Sequence, residues 1–152
     1  MTILTVILSG NTGRTTQSPR IMNLGDYGAT EVLYSVNQSP EGWNNTYKEF
    51  VKLTGSSVTE VEDVSLSLLF TGESNMQKYH TKFIIAAEFN SSSSGVGVLN
   101  AMFSSSAIHS APISLNALTN SVLKRNSPKK SITVTNHPLH SKEVSMFLDS
   151  VV

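Results

Sequence analysis

Apolar and polar residues follow two different periods along this chain, and the period separates predicted strands from predicted helices. The first eight residues, "MTILTVIL", are apolar and rich in β-branched side chains, which predicts a strand. The serine-rich stretch "SSSSGVG" predicts a turn between two extended segments, and therefore a β-hairpin. Extended segments are predicted over residues 31–36, 82–89, 98–105 and 131–136.

Helical spacing occurs in four places. Trp43, Tyr47, Phe50 and Val51 recur on one helical face, with Ser39 as a candidate N-cap and Gly55 as the stop. A second helix is predicted over residues 56–70, because Ser57 and Glu60 have the spacing of a capping box. A third begins at Ser110 or Ala111, runs to Arg125 and presents Leu115, Leu118, Val122 and Leu123 on one face. The final stretch, "SKEVSMFLDSVV", predicts the start of a fourth helix.

These elements are mixed and do not alternate regularly, and no repeat of fixed period is visible. The pattern predicts an α+β fold, a mixed small sheet with several short helices packed on it. The 152 residues are enough for one domain with its own core, so residues 1–152 are predicted to form a single domain.

Charge and composition exclude several classes of function. Eleven basic and eleven acidic residues leave no net charge, so no general attraction to nucleic acid is expected, and "KRNSPKK" is interpreted as a solvated loop. The absence of cysteine excludes disulfides, thiolate catalysis and cysteine–zinc sites. No apolar run approaches the ~20 residues that span a bilayer. No phosphate-binding glycine motif is complete, so no cofactor is expected in this chain.

The residues with reactive side chains form no recognisable catalytic or metal motif. His109 and Ser110 follow a serine cluster, but no G-x-S-x-G elbow is present, so they are interpreted as a turn and helix start. His137 and His140 lack carboxylates at matching spacing, which makes a metal site a weak hypothesis. Glu60, Glu62 and Asp63 are interpreted as acidic residues at a helix start. No catalytic residue and no metal ligand is therefore assigned.

Three N-x-S/T sequons occur. They make Asn37, Asn44 and Asn90 candidate N-glycosylation sites if the chain faces the secretory lumen. The first is followed by Pro40, which usually impairs its use.

The order of features from residue 79 to residue 139 resembles one family. The strand "YHTKFIIAAEF", a small-residue turn, "VLNAMFSSSAIHSAPISLNALTNSVLKR" and "SITVTNHPL" follow one another. This order is similar to the exocytoplasmic domain of the A-subfamily ATP-binding cassette lipid transporters, in the second such domain. There, an "A-L-F-N-N-Q-A-Y-H-S-P-A" segment leads into an "A-L-N-x-L-x-N-x-L-L-R" helix and a strand ending in "N-x-P". Upstream, "MNLGDYGATEVLYS" resembles the family's entry segment "Y-G-x-T-x-V-x-Y".

The resemblance covers about 60 residues well and the first 75 in outline. Three serines (104–106) replace the family's Asn-Asn-Gln, Ile108 replaces Tyr, and Ala111-Pro112 reverses its "P-A". The residues that match the family motif are Phe103, His109, Ser110, Leu115, Asn116, Leu118, Asn120, Asn136 and Pro138.

The resemblance implies an extracellular or luminal domain of an integral membrane protein that moves lipid using ATP. Such a domain would shape or gate the lipid path and catalyse nothing itself, since the parent transporter hydrolyses ATP through domains outside this chain. Its partners would be lipid, the transporter's membrane helices and a companion ectodomain. An apolar segment of ~20 residues would then be expected soon after Val152 in the parent gene. The alternative is a free-standing ligand-binding or hydrolase-like domain that uses His109 and a nearby serine.

Overall fold

A computed structural model of the chain describes residues 18–37, 42–92 and 94–136. Residues 21–135 form one compact unit, and the other described residues, 18–20 and Asn136, belong to a separate unit. The predicted N-terminal strand, the helix predicted after residue 140, and Ser39, His137, Pro138 and His140 lie outside the described residues.

The compact unit is built on a mixed four-stranded sheet. The strands occur in the order β3–β2–β4–β5. β2 pairs in parallel with both β3 and β4, whereas β4 and β5 form the predicted antiparallel hairpin. The strands are β2 (Glu31–Asn37), β3 (Ser57–Glu60), β4 (Ile85–Ser91) and β5 (Gly97–Phe103). Two short strands, β1 (Arg20–Ile21) and β6 (Thr135–Asn136), form a separate two-stranded sheet.

Four α-helices and one 3-10 helix complete the described chain, and the predicted α+β class with short helices on a small mixed sheet is confirmed. The 3-10 helix (Leu24–Tyr27) precedes β2. None of the helices in the described ranges is long and apolar enough to cross a membrane. The α-helices are α1 (Trp43–Lys52), α2 (Val64–Ser74), α3 (Met76–Lys82) and α4 (Ser110–Asn126).

Side chains from both faces of the sheet are buried. Because neighbouring residues of a strand point to opposite faces, Ile85, Ala87 and Phe89 of β4 belong to the larger core, together with residues of α1 and α4. Ala86 belongs to a smaller core with Val64 of α2 and residues of adjacent segments. The sheet therefore separates two hydrophobic clusters, and α1 and α4 share the larger one.

The helix predicted over residues 56–70 begins later than expected, so the capping-box interpretation is wrong. Ser57 to Glu60 form β3, whose residues pair with Glu31 to Tyr34 of β2. The helix starts at Val64, with the Asp63 side chain accepting a hydrogen bond from the Leu66 N–H at 2.9 Å. The β-branched Val58 and Thr59 favour strand geometry. Pairing with β2 provides the partners for the backbone N–H and C=O groups that would otherwise have bonded within a helix.

Two predicted strands also differ in their bounds from the strands of the structure. The strand predicted over 82–89 is shifted, because Lys82 ends α3, a helix that the sequence reading missed. Asn75 caps this helix by accepting a hydrogen bond from the Lys78 N–H at 2.8 Å. The strand predicted over 131–136 is reduced to Thr135–Asn136.

Two glycines are required by their surroundings. α1 begins after Gly42, whose φ of 90° is strained for any other residue, and a Cβ there would lie 3.1 Å from the Arg125 Nε. A Cβ on Gly25 would lie 2.9 Å from the carbonyl oxygen of Thr54, so the 3-10 helix packs directly against the chain that follows α1.

Candidate functional site

The turn between β5 and α4 is held by serine hydroxyl groups. The Ser110 Oγ donates to the carbonyl oxygen of Ser104 at 2.6 Å, and the Ser114 Oγ donates to that of Met102 at 2.7 Å. Both serines are buried. These bonds fasten the first turn of α4 to the end of β5 and fix the direction in which the helix leaves the strand.

His109 occupies the N-cap position of α4, as the interpretation of a helix start required. Its backbone lies in the left-handed region, with φ 69° and ψ 7°, and its side chain makes no capping hydrogen bond. Among the described non-glycine residues it alone has positive φ. This conformation costs about 1–2 kcal/mol for a residue other than glycine. The surrounding turn therefore keeps the His109 backbone in a conformation that the isolated residue would avoid.

The serine hydroxyl groups near His109 bond within the turn. Ser104 and Ser106 bond to each other, with 2.8 Å between their Oγ atoms, and the Ser110 hydroxyl donates a hydrogen bond to the backbone. Of these, the Ser110 side chain is buried, whereas the Ser104–Ser106 pair is exposed. The arrangement accounts for Ser104, Ser106 and Ser110 as structural residues.

Asn120 connects α4 to the segment that follows it. This fully buried side chain donates from Nδ2 to the Ile132 carbonyl oxygen and accepts at Oδ1 from the Ile132 N–H, both at 2.9 Å. Nδ2 also donates to the Oδ1 of Asn116 at 2.7 Å. Residues 131–133 therefore lie against α4 because a side-chain amide supplies the hydrogen bonds that a strand partner would have supplied.

This arrangement leaves an apolar groove beside α1 and α4. We call it the α1–α4 groove; its volume is about 290 Å³. The residues that line it are Ile21, Met22, Asn23, Leu24, Phe50, Val51, Leu53, Thr54, Ile85, Ile113, Asn116, Ala117, Lys124, Ser131, Ile132 and Thr133. Its walls are mainly hydrocarbon, with one charged residue, Lys124.

One positively charged side chain, that of Lys124, lines the groove. The Lys124 Nζ is 5.6 Å from the centre of the Phe50 ring, within the range of a cation–π contact. Lys124, Phe50 and Leu53 also line a neighbouring cavity of about 390 Å³, together with Thr46, Glu49, Arg125 and Pro128. An amphiphile could place hydrocarbon in the groove and an anionic group near Lys124 and Arg125.

The motif residues are divided between core, groove and surface. Leu118 is buried and Asn116 lines the groove, whereas Phe103 and Leu115 are more than half exposed. Leu115 therefore does not share a face with Leu118 as expected, while Val122 and Leu123 are half-buried. Asn136 lies in β6, and Pro138 lies outside the described residues.

The three sequon asparagines lie in or at the ends of regular elements. Asn44 is in the first turn of α1 and half-buried. Asn37, at the exposed end of β2, pairs with Asn90 of β4, which is half-buried. The structure brings Asn37 and Asn90 together but leaves Asn44 on a separate element.

Acidic and metal-ligating residues do not converge in the described part of the chain. No group of three or more His, Asp and Glu side chains there could hold a metal ion. Glu60 accepts a hydrogen bond from the Tyr34 hydroxyl, while Asp63 caps α2. Burial, and then the bond to Glu60, raise the pKa of Tyr34. These carboxylates have separate structural tasks.

Sequence reasoning missed the small-residue stripe of α4. Ser110, Ser114, Ala117 and Ser121 are all buried, at spacings of four, three and four. The Thr46 Oγ1 of α1 donates to the Ser121 carbonyl oxygen at 2.8 Å, which is a close approach of the two helices. The spacing of small side chains was the available signal, since they let a neighbouring helix come close.

No protein-family model matches the chain, and no curated protein matches it.

Proposed function

We propose that this chain is the extracellular or luminal domain of an ATP-driven lipid transporter, where it shapes or gates the lipid path without catalysing a reaction. The observation that carries the proposal is the α1–α4 groove. Its apolar wall includes α4, the helix in which the resemblance to the transporter family is densest.

The chemistry of the groove suits one end of an amphiphile. Its volume of about 290 Å³ is at the lower limit of small-molecule sites, which begin near ~300 Å³. Such a space receives part of an acyl chain rather than a whole lipid. Lys124, which lines the groove, and Arg125 in the neighbouring cavity provide two positive charges for a phosphate group, against one carboxylate there, that of Glu49.

The exposed face of α2 favours the proposal that this domain contacts other parts of a larger protein. Leu66, Leu69 and Phe70 are each more than half exposed, and Val64 is the one buried residue of this helix. Their spacing of three and one places the three side chains on one face of the helix, and grouped exposed apolar side chains are typical of a contact surface. Contact with a companion ectodomain or with the transporter's membrane helices would bury this face.

The lipid role is tested with a phospholipid that carries a photoreactive diazirine in its acyl chain, presented in phosphatidylcholine vesicles. We expect labelled peptides to map to the groove. Thr133→Trp fills the groove from an exposed position, and should lower labelling roughly tenfold, which corresponds to about 1.4 kcal/mol. Thr81→Trp, at an exposed position of α3, is the matched control and should label like the unmodified chain.

Equal labelling of both tryptophan variants would contradict a lipid role for the groove. The hydrolase alternative has a separate readout. Hydrolysis of any member of a broad ester panel, lost in His109→Ala while circular dichroism shows an intact fold, would support that alternative against the proposal.

A further inference from the structure

β5 forms one edge of the four-stranded sheet. It pairs with β4 on one side, and within the ranges 18–37, 42–92 and 94–136 no strand pairs with its other side. The strand has seven residues, so its outer edge offers a long row of backbone hydrogen-bonding groups.

The register with β4 determines which backbone N–H and C=O groups of β5 face away from the sheet. The Ser104 N–H donates to the Ile84 carbonyl oxygen at 2.9 Å, and the Ser92 N–H donates to that of Val96 at 2.8 Å. The even-numbered residues of β5 therefore exchange hydrogen bonds with β4, since bonded and non-bonded pairs alternate in an antiparallel ladder. The outward N–H and C=O groups belong to Gly97, Leu99, Ala101 and Phe103.

β5 lacks the features by which edge strands avoid pairing. Its sequence, "GVLNAMF", contains no charged residue and no proline. The opposite edge of the sheet, β3, is only four residues long and ends in Glu60. Of the two edges, β5 is the one on which a further strand can be added.

We propose that β5 pairs with β5 of a second copy of this chain, antiparallel across a two-fold axis at Asn100. In this register Gly97 is opposite Phe103 of the other copy and Leu99 is opposite Ala101, so all four outward-facing residues are hydrogen-bonded. The two four-stranded sheets become one continuous sheet. The dimer goes beyond the proposed lipid role and does not depend on it.

The side chains that meet in this register are complementary. Phe103, which is 54% exposed, covers Gly97 of the other copy, which has no side chain of its own. On the other face Val98, which is 42% exposed, meets Met102. Asn100 meets its own copy, and two side-chain amides can donate to and accept from each other.

A second copy is favoured over an unrelated partner because the edge is self-complementary. No charged side chain of β5 opposes another in the symmetric register. The nearest carboxylate, Glu88 on β4, accepts a hydrogen bond from the Asn100 Nδ2 at 3.0 Å. A two-fold contact also closes on itself, which ends the sheet at two copies.

Single cysteines test the register, since the chain has no cysteine of its own. Asn100→Cys places two thiols opposite each other at the axis, within the distance that a disulfide spans. Val98→Cys is the matched control on the same face, since the two Val98 positions are four residues, roughly 13 Å, out of register. We expect Asn100→Cys to form a disulfide-linked dimer at least tenfold faster than Val98→Cys.

Light scattering on the unmodified chain tests the dimer itself. The mass should rise with concentration toward twice the 16.4 kDa of one chain. Val98→Lys should keep the mass of a single chain, while Val96→Lys, in the hairpin turn, should still dimerise. A single-chain mass at every concentration, assemblies larger than two chains, or equal cross-linking of the two cysteine variants would each overturn the proposal.

Discussion

Tyr34 and Tyr47 contact the same aromatic ring, Phe89, edge to face, but their hydroxyl groups differ in their partners. The Tyr34 hydroxyl donates to Glu60. The Tyr47 hydroxyl is fully buried and has no hydrogen-bond partner among the described residues. Burial raises the pKa of both side chains, because it disfavours the charged phenolate.

Removing one hydroxyl at a time should change stability in opposite directions. Tyr47→Phe removes an unpaired buried polar atom, so we expect the free energy of unfolding to rise by about 1 kcal/mol. Tyr34→Phe removes a hydrogen bond to a carboxylate and should lower it by about 1–2 kcal/mol. Urea unfolding at neutral pH measures both, and a loss of stability in Tyr47→Phe would show that its hydroxyl is paired.

The same two tyrosines predict how the free energy of unfolding changes at alkaline pH. A tyrosine whose folded-state pKa is raised stabilises the protein fully below the unfolded pKa of about 10, and this contribution is lost as pH rises above it. Each phenylalanine variant should therefore lose less stability between neutral pH and pH 11 than the unmodified chain.

At the scale of elements, the segment from β5 to α4 illustrates what a local pattern can predict. The hairpin and the helix beginning at Ser110 are present as expected, although Leu115, which was predicted on the apolar face of that helix, is exposed. The second helix is different, since Ser57 and Glu60 resemble a cap but pair with β2. No local pattern states which strand will lie beside a segment.

The start of α4 predicts an unusual ranking of two variants. In the interior of an ordinary helix, glycine lowers the stability relative to alanine by about 1 kcal/mol. At His109, where φ is 69°, the order should be reversed, with His109→Gly more stable than His109→Ala by about 1 kcal/mol. Both variants lack the imidazole, so their difference in thermal unfolding isolates the backbone. The usual order would mean that His109 is not in the left-handed region.

At the scale of the whole molecule, the chain after α4 is tied back to that helix through one buried amide. Asn120 is bonded to both backbone groups of Ile132, and this segment completes the α1–α4 groove. Ile132 lies twelve positions after Asn120 in the chain. The family resemblance identified Asn120 as a motif residue. Its structural role depends on the hydrogen bonds to Ile132, which the spacing of residues in the sequence does not reveal.

Asn120→Asp tests this connection with little change of shape. The variant loses the Nδ2 donor and buries a carboxylate, so we expect a loss of about 3–5 kcal/mol at neutral pH. Burial raises the pKa of the new carboxyl group, so part of the stability should return as pH falls and it is protonated. Asn116→Asp is the matched control, since it keeps the acceptor for the Asn120 Nδ2 and should be nearly neutral. Equal losses in both variants, measured by urea unfolding, would contradict the Asn120 connection.

The sequence by itself determined the α+β class, the hairpin, the extent of α1 and α4 to within a few residues, and the absence of cysteine chemistry. These properties follow from local periodicity and composition, which act over a few residues at a time. Only the tertiary structure decided that Ser57 to Glu60 form a strand, that Leu115 faces outward while Asn120 is buried, and that β5 lies at an edge. Those outcomes depend on which distant segments satisfy each backbone group and cover each side chain, and that information is not local.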